Sequence, residues 1–174
     1  MSKDNQLKAD TMPERRRNDG FSLIEVLIAT LLVGLAVAAL LGANRAFTRA
    51  NDAGTDLSTA EFLIEQIKEL MALLPVVDPD GDTTFGPETG ETLPTYNDLD
   101  DFDGAIFSPP INADRVSLND YATFSQQVTV ENVNASDFEQ VEPDLPRTNF
   151  VRVTVNVYQN AQLITTASWL RARY

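Results

Sequence analysis

The chain has 174 residues, of which 13 are Lys or Arg and 26 are Asp or Glu, giving a formal net charge of −13 without any histidine or cysteine. These counts exclude disulfides, the usual zinc ligand sets and the Ser-His or Cys-His nucleophile pairs. So acidic a chain is also not expected to bind nucleic acid. We therefore predict no enzyme activity and no catalytic residue, and the length leaves room for one anchor and one modest domain.

Residues 1–20 form a polar leader of mixed charge with no apolar periodicity. The cluster Arg15-Arg16-Arg17 lies just before its end. Basic residues flanking a membrane helix stay on the cytoplasmic side. We expect the leader to be disordered, to remain cytoplasmic and to take no part in the fold.

Residues 21–43 are apolar, and Glu25 is their only charged residue. A helix of about 20 apolar residues spans a hydrocarbon core. An ordinary secretory signal is cut after its apolar region, and no such site follows Ala43. The order of segments therefore predicts a retained single-pass transmembrane helix with an extracytoplasmic C-terminal domain.

Glu25 has two interpretations, which do not exclude each other. Ser22 and Glu25 have the spacing of a capping box at a helix N-terminus, where a carboxylate also suits the helix dipole. A carboxylate inside a membrane or a helix bundle otherwise needs a partner of opposite charge, and such acids usually serve a function.

The segment Gly20-Phe21-Ser22-Leu23-Ile24-Glu25, between a basic leader and an apolar helix, resembles the processing site of the type IV pilin-like superfamily. That superfamily includes major pilins, minor pilins and the pseudopilins of type II secretion. The resemblance implies that a prepilin peptidase cuts between Gly20 and Phe21 and that the new N-terminus, Phe21, is methylated. It also implies that Glu25 acts in assembly by pairing with the Phe21 amine of a neighbouring subunit.

The partners and location implied by this resemblance are prepilin peptidase, other pilin or pseudopilin subunits and the inner membrane. The protein would then enter a pilus or a periplasmic pseudopilus. No nucleic-acid partner is expected.

Residues 44–74 are predicted to continue the helix as an amphipathic segment. Apolar residues recur there at steps of three and four from Leu57 to Leu74, which is a helical stripe. Pro75 is expected to end the helix. Gly54 and a second capping pattern, Ser58 to Glu61, predict that the helix could break or restart between residues 54 and 58.

Residues 75–174 are predicted to form a globular head that begins with an irregular acidic loop, residues 75–114. Aspartates cluster there twice, at Asp78, Asp80 and Asp82 and at Asp98, Asp100, Asp101 and Asp103. The first cluster has the alternate spacing of a calcium loop, but Thr89 stands where that loop has its glutamate. Some pseudopilins bind calcium in an analogous region. Two alternatives stay open, a calcium site or a solvated acidic loop, and the prediction is no cofactor.

The rest of the head is predicted to be antiparallel sheet. In Phe150 to Tyr158 every second residue is valine, the alternation of a half-buried strand. Residues 163–171 form the predicted partner strand, and Asn160 suits a positive φ in the turn between them. Residues 134–148 are predicted to be a loop. The fold class is α+β, with the long N-terminal helix packed on a small antiparallel sheet of three or four strands.

The predicted function is a structural subunit of a type IV pilus-like or type II secretion filament. One alternative is a signal-anchored extracytoplasmic binding domain that never polymerises, which would keep an uncut N-terminus. Another is a secreted hydrolase with a carboxylate site, which would show turnover that depends on one particular Asp or Glu.

Overall fold

The computed structural model describes residues 20–81, 83–145 and 147–173. The predicted leader up to residue 19 and Asp82 of the first aspartate cluster lie outside these residues. The chain divides into two compact units, Met1–Phe47 and Thr48–Tyr174. We call them the stem unit and the head unit.

One helix, α1, runs from Leu23 to Ala72 over 50 residues and contributes to both units. It is continuous through residues 54–58, so the predicted break is wrong. Gly54 costs a helix about 1 kcal/mol relative to alanine. Breaking the helix would cost more, because each new end leaves backbone groups without partners. Ser58 therefore lies inside the helix and caps nothing.

α1 ends three residues before Pro75, and the end is held from a distant strand. Arg171 donates from its two terminal nitrogens to the carbonyl oxygens of Met71 at 2.7 Å and of Leu74 at 3.0 Å. A cation at the C-terminus of a helix also suits the helix dipole.

Five strands form an antiparallel sheet in the order β1-β2-β4-β5, with β3 paired to one end of β2. Their bounds are Ile106–Phe107 for β1, Phe124–Asn134 for β2, Asp137–Val141 for β3, Phe150–Gln159 for β4 and Gln162–Ala172 for β5. The predicted α+β fold with a small antiparallel sheet is confirmed. β3 lies within residues 134–148, so the prediction that this whole segment is a loop is wrong.

The alternation in β4 has the predicted result. Its four valines, Val151, Val153, Val155 and Val157, are at most 3% exposed, while the residues between them are half-buried. The turn to β5 has positive φ at Asn160, as predicted, and also at Ala161. Two consecutive positive φ values match the right-handed twist of the strands on either side.

The core of the head unit lies between the sheet and one face of α1. Leu63, Ile67 and Met71 are fully buried there, and burying each such side chain contributes about 1.5–3 kcal/mol. Gln126 is also fully buried, and its amide satisfies three backbone groups. It donates to the carbonyl oxygens of Leu63 and Ile111 and accepts from the Ile111 N–H. This single polar side chain connects β2, α1 and the acidic loop.

Candidate functional sites

The first candidate site is the start of α1. Gly20 and Phe21 precede the helix, and Phe21 is 83% exposed. The Glu25 N–H donates to the Ser22 side-chain oxygen at 3.2 Å, which is the predicted cap. The cap leaves the Glu25 side chain exposed. The helix start therefore offers an accessible Gly20-Phe21 peptide four residues ahead of a free carboxylate.

Phe21 and Glu25 lie on one side of the stem unit. With Val26, Ala29, Thr30 and Val33 they line a shallow, mostly apolar groove of about 520 Å³. All of these residues are exposed, as is every residue from 20 to 50. Glu25 is thus a single carboxylate on an apolar surface with no cation beside it in the described stem.

α1 is long and apolar enough to cross a membrane, judged by length and composition. A signal sequence near an N-terminus would meet the same two criteria. This helix is compatible with a membrane-anchored, single-pass protein.

The second candidate site is the acidic loop of the head unit. Asp98, Asp100 and Asp101 are buried, each at most 2% exposed. Buried carboxylates need partners, and Arg147 is one of them. Its guanidinium lies 2.6 Å from an Asp100 oxygen and 3.6 Å from an Asp98 oxygen, and it also donates to the Thr84 carbonyl oxygen.

The other loop carboxylates bind backbone donors. Asp101 accepts from the N–H groups of Asn97 and Asp98 at 2.7 and 3.2 Å, and Asp103 accepts from the Val130 N–H at 2.8 Å. The second aspartate cluster thus stabilises the loop through an arginine and through backbone groups. In the first cluster Asp78 accepts from the Asp80 N–H at 2.6 Å, as in a turn.

A different set of oxygens comes together beside this loop. Carboxylate oxygens of Glu88, Glu91 and Asp101 lie within 4.8 Å of one another. Burial, and then the bond to Glu91, raises the pKa of Glu88 to about 7. Calcium takes six to eight oxygen ligands, so these three carboxylates would supply only part of a coordination shell. The absence of a cofactor stays a prediction.

Burial also raises the pKa of Asp98 to about 8, with the neighbouring Asp100 carboxylate as the next cause. Arg147 lies closer to Asp100 than to Asp98. Arg147 therefore pairs mainly with Asp100, while the raised pKa of Asp98 favours its protonated form. Sequence reasoning identified the aspartates but missed Arg147, which is the only cation between Arg115 and Arg152.

Residues 15–41 match the family model described as the prokaryotic N-terminal methylation motif. The matched stretch includes Gly20, Phe21 and Glu25. This motif is the type IV prepilin-like signal, and the match supports a pilin-like precursor processed by prepilin peptidase. The proteins that carry this motif are structural. No curated protein and no solved structure matches the chain.

Proposed function

We propose that the protein is a pilin-like or pseudopilin-like subunit that assembles into a type IV pilus-like or type II secretion filament. Prepilin peptidase cuts between Gly20 and Phe21, the Phe21 amine is methylated, and the stem unit then packs among the stems of other subunits. The head unit remains on the filament surface. The observation that carries the proposal is the methylation motif, followed directly by an apolar helix whose side chains are exposed throughout the stem unit.

The exposure of the stem supports assembly. Large apolar side chains from Leu23 to Leu41 are 51–81% exposed. Soluble proteins rarely expose so large an apolar surface to water, and such a surface usually marks an interaction site. Lipid covers it before assembly, and other stems cover it in a filament. Small residues such as Gly34 and Ala38 allow close approach of helices, and space is open around Gly34.

In this proposal Glu25 sets the axial register between neighbouring subunits. Cleavage creates a free amine at Phe21, and a carboxylate that becomes buried in a bundle needs a cation. Pairing Glu25 with the Phe21 amine of a neighbour satisfies both groups and fixes the axial offset of two subunits. The inner membrane, prepilin peptidase and other pilin or pseudopilin subunits are the partners, and no enzymatic role is proposed.

Intact-mass and N-terminal analysis of the protein extracted from the membranes of its native cell tests the processing step. We expect loss of residues 1–20 and a gain of about 14 Da at Phe21, the mass of one methyl group. An intact Met1 end would instead favour a signal-anchored binding domain that does not polymerise.

The assembly step is tested with Glu25→Val and the isosteric Glu25→Gln. Both variants should be cut normally, yet they should be depleted from the sheared filament fraction because the buried amine loses its partner. Asp52→Asn, which removes an exposed acid further along α1, is the matched control. Normal incorporation of Glu25→Gln would contradict the role of Glu25 in assembly.

A further inference from the structure

The two outer edges of the sheet differ in their free hydrogen-bonding groups. On the β2 side, β1 pairs with Gln126 and Gln127. Loop groups accept from the next free donors, because the Val128 N–H binds the Ala105 carbonyl at 2.9 Å and the Val130 N–H binds Asp103 at 2.8 Å. This edge is closed. The opposite edge is β5, and no other described strand pairs with its outer side.

The free groups of β5 follow from the alternation of its pairing with β4. The Arg173 N–H donates to the Asn149 carbonyl at 2.9 Å, next to the paired residues Phe150 and Ala172. In antiparallel strands, bonded pairs alternate with non-bonded pairs. The non-bonded residues of β5 therefore include Thr166, Ser168 and Leu170. Each directs one N–H and one C=O away from β4.

From Thr165 to Leu170, β5 lacks the features that normally prevent an edge strand from pairing with another chain. Edge strands that are protected from such pairing are usually short, charged, bulged or interrupted by proline. β5 has 11 residues, and none from Gln162 to Leu170 is charged or proline. Its one charged residue, Arg171, binds the end of α1. The register shift leaves one extra residue, Ile164, on β5, so β5 has a bulge near the turn and pairs regularly with β4 from Thr165 to Ala172.

The buried layer of the sheet is also incomplete at β5. Val153 and Val155 of β4 are fully buried. The residues paired with them on β5, Trp169 and Ala167, are only half-buried although they pack against the core. Another strand beside β5 would bury Trp169 and Ala167 further, because β5 would then have a strand on both sides, as β4 has.

Two open grooves lie between α1 and β5 and indicate the charge of the missing strand. One, of about 550 Å³, is lined by Glu61 and Glu65 of α1 and by residues 165–167 of β5. The other, of about 350 Å³, is lined by Asp56 of α1 and by residues 162–164. Lys68 pairs with Glu65 at 3.0 Å, so Asp56 and Glu61 leave the grooves negatively charged.

We propose that the outer edge of β5 binds an extended, basic segment of a different protein, which adds a strand to the sheet. The main-chain groups of Thr166, Ser168 and Leu170 supply the hydrogen bonds, and Lys or Arg side chains of the segment face Asp56 and Glu61. Backbone pairing gives affinity in this mode of recognition, and side-chain contacts give specificity.

A second copy of this chain fits the edge poorly. Its β2 edge is closed by β1 and the acidic loop, so it has no strand edge to offer there. Pairing β5 with β5 would bring the carboxylates of both copies along the same seam, and like charges across an interface are unfavourable. The occupant is therefore a segment with the opposite charge.

The test uses the full-length chain in detergent micelles and a fluorescent nine-residue peptide of alternating lysine and valine. We expect the peptide to bind and to slow hydrogen exchange at the amides of Thr166, Ser168 and Leu170. Ser168→Pro removes the backbone N–H that would donate to the peptide. The loss of this one hydrogen bond should weaken binding about tenfold. Ser168→Ala should bind normally. Both variants lose the bond between the Ser168 and Thr154 hydroxyls, so they differ in the backbone N–H and in the proline ring.

The charges are tested separately with Asp56→Asn and Glu61→Gln, each of which should weaken binding by about threefold. Failure of the peptide to bind would overturn the proposal. So would equal binding by Ser168→Pro and Ser168→Ala, or by a peptide whose alternate amides are N-methylated. A concentration-dependent dimer that protects the same amides would show that a second copy occupies the edge. None of these outcomes depends on cleavage at Gly20.

Discussion

The two parts of α1 have opposite relations to the rest of the chain. Every α1 residue in the stem unit is exposed, although most are apolar. In the head unit the same helix buries a stripe that begins at Ala60 and continues to Met71. Apolar composition alone therefore does not predict burial within a chain. The helix is buried where the chain supplies a complementary surface, and in the stem unit the described residues supply none.

The strongest test of this contrast removes the charge inside the head unit. Arg147→Met leaves Asp98 and Asp100 buried without their cation, so we expect a loss of about 3 kcal/mol in the free energy of unfolding. Lys68→Met is the control, because the side chains of Lys68 and its partner Glu65 are 51% and 64% exposed. It should cost less than about 1 kcal/mol. Chemical denaturation in detergent measures both, and equal losses would mean that Arg147 behaves as a surface charge.

A pair of leucine truncations compares the two parts of α1 directly. Leu63→Ala opens a cavity in the head core and should destabilise the head by about 2–5 kcal/mol. Leu35→Ala removes the same atoms from a residue that is 60% exposed, and should leave head unfolding unchanged. Thermal denaturation of the two variants checks this expectation. A similar loss from Leu35→Ala would contradict the independence of the head.

The pH dependence of the head should follow Asp98. Its pKa is about 8 in the folded chain against 3.8 for the unperturbed group, so the folded state binds the proton more tightly. Stability should fall as pH rises from about 4 to 8, by at most about 1.4 kcal/mol per pH unit for this group. It should level off above that range.

Asp98→Asn should reduce this slope, since an amide cannot ionise and can still accept from the Asp101 N–H at the Asp98 position. Asp120→Asn, an exposed substitution, is the control. Melting temperatures recorded between pH 5 and 9 measure the slope. An unchanged slope in Asp98→Asn would assign it to other groups, of which Glu88 has a raised pKa of the same sign.

The smallest effect is expected at the start of α1. Ser22→Ala removes the side-chain acceptor of the Glu25 N–H, and such a cap contributes about 1 kcal/mol to the adjoining turn. The Glu25 amide should exchange faster while head unfolding stays unchanged. Ser58→Ala alters the same Ser-x-x-Glu pattern within the helix and should have no such effect. Amide exchange followed by mass spectrometry distinguishes the two.

Sequence predicted the regular parts of the fold because their patterns are local. The valines of β4 alternate over one face, and the stripe of α1 repeats every three or four residues, so each segment specifies its own buried side. β3 was missed because all five of its residues are exposed. Its position depends on contacts beyond the strand, such as the bond from the Asn134 amide to Glu142 at 2.7 Å.

The candidate sites divide in the same way. Gly20, Phe21 and Glu25 lie close together in the sequence and form a local motif. The family model matches the same stretch. The role of Arg147 could not be predicted, because it binds Asp100 across 47 residues of sequence. Only the scarcity of cations in this part of the chain hinted that one of them had a specific partner.

The hydrogen bonds from Arg171 to the end of α1 have a consequence for the timing of folding. The bond to the Met71 carbonyl joins residues 100 positions apart, and the guanidinium belongs to the last strand. A ribosome therefore releases the helix long before the residue that secures its end, and long-range contacts of this kind form slowly. The head can be completed only after β5 has been made. Until then the carbonyl groups at the end of α1 lack their bonds to Arg171, and the apolar stripe lacks the cover that β5 provides. A chaperone would be most useful in this interval, because exposed apolar surface promotes aggregation.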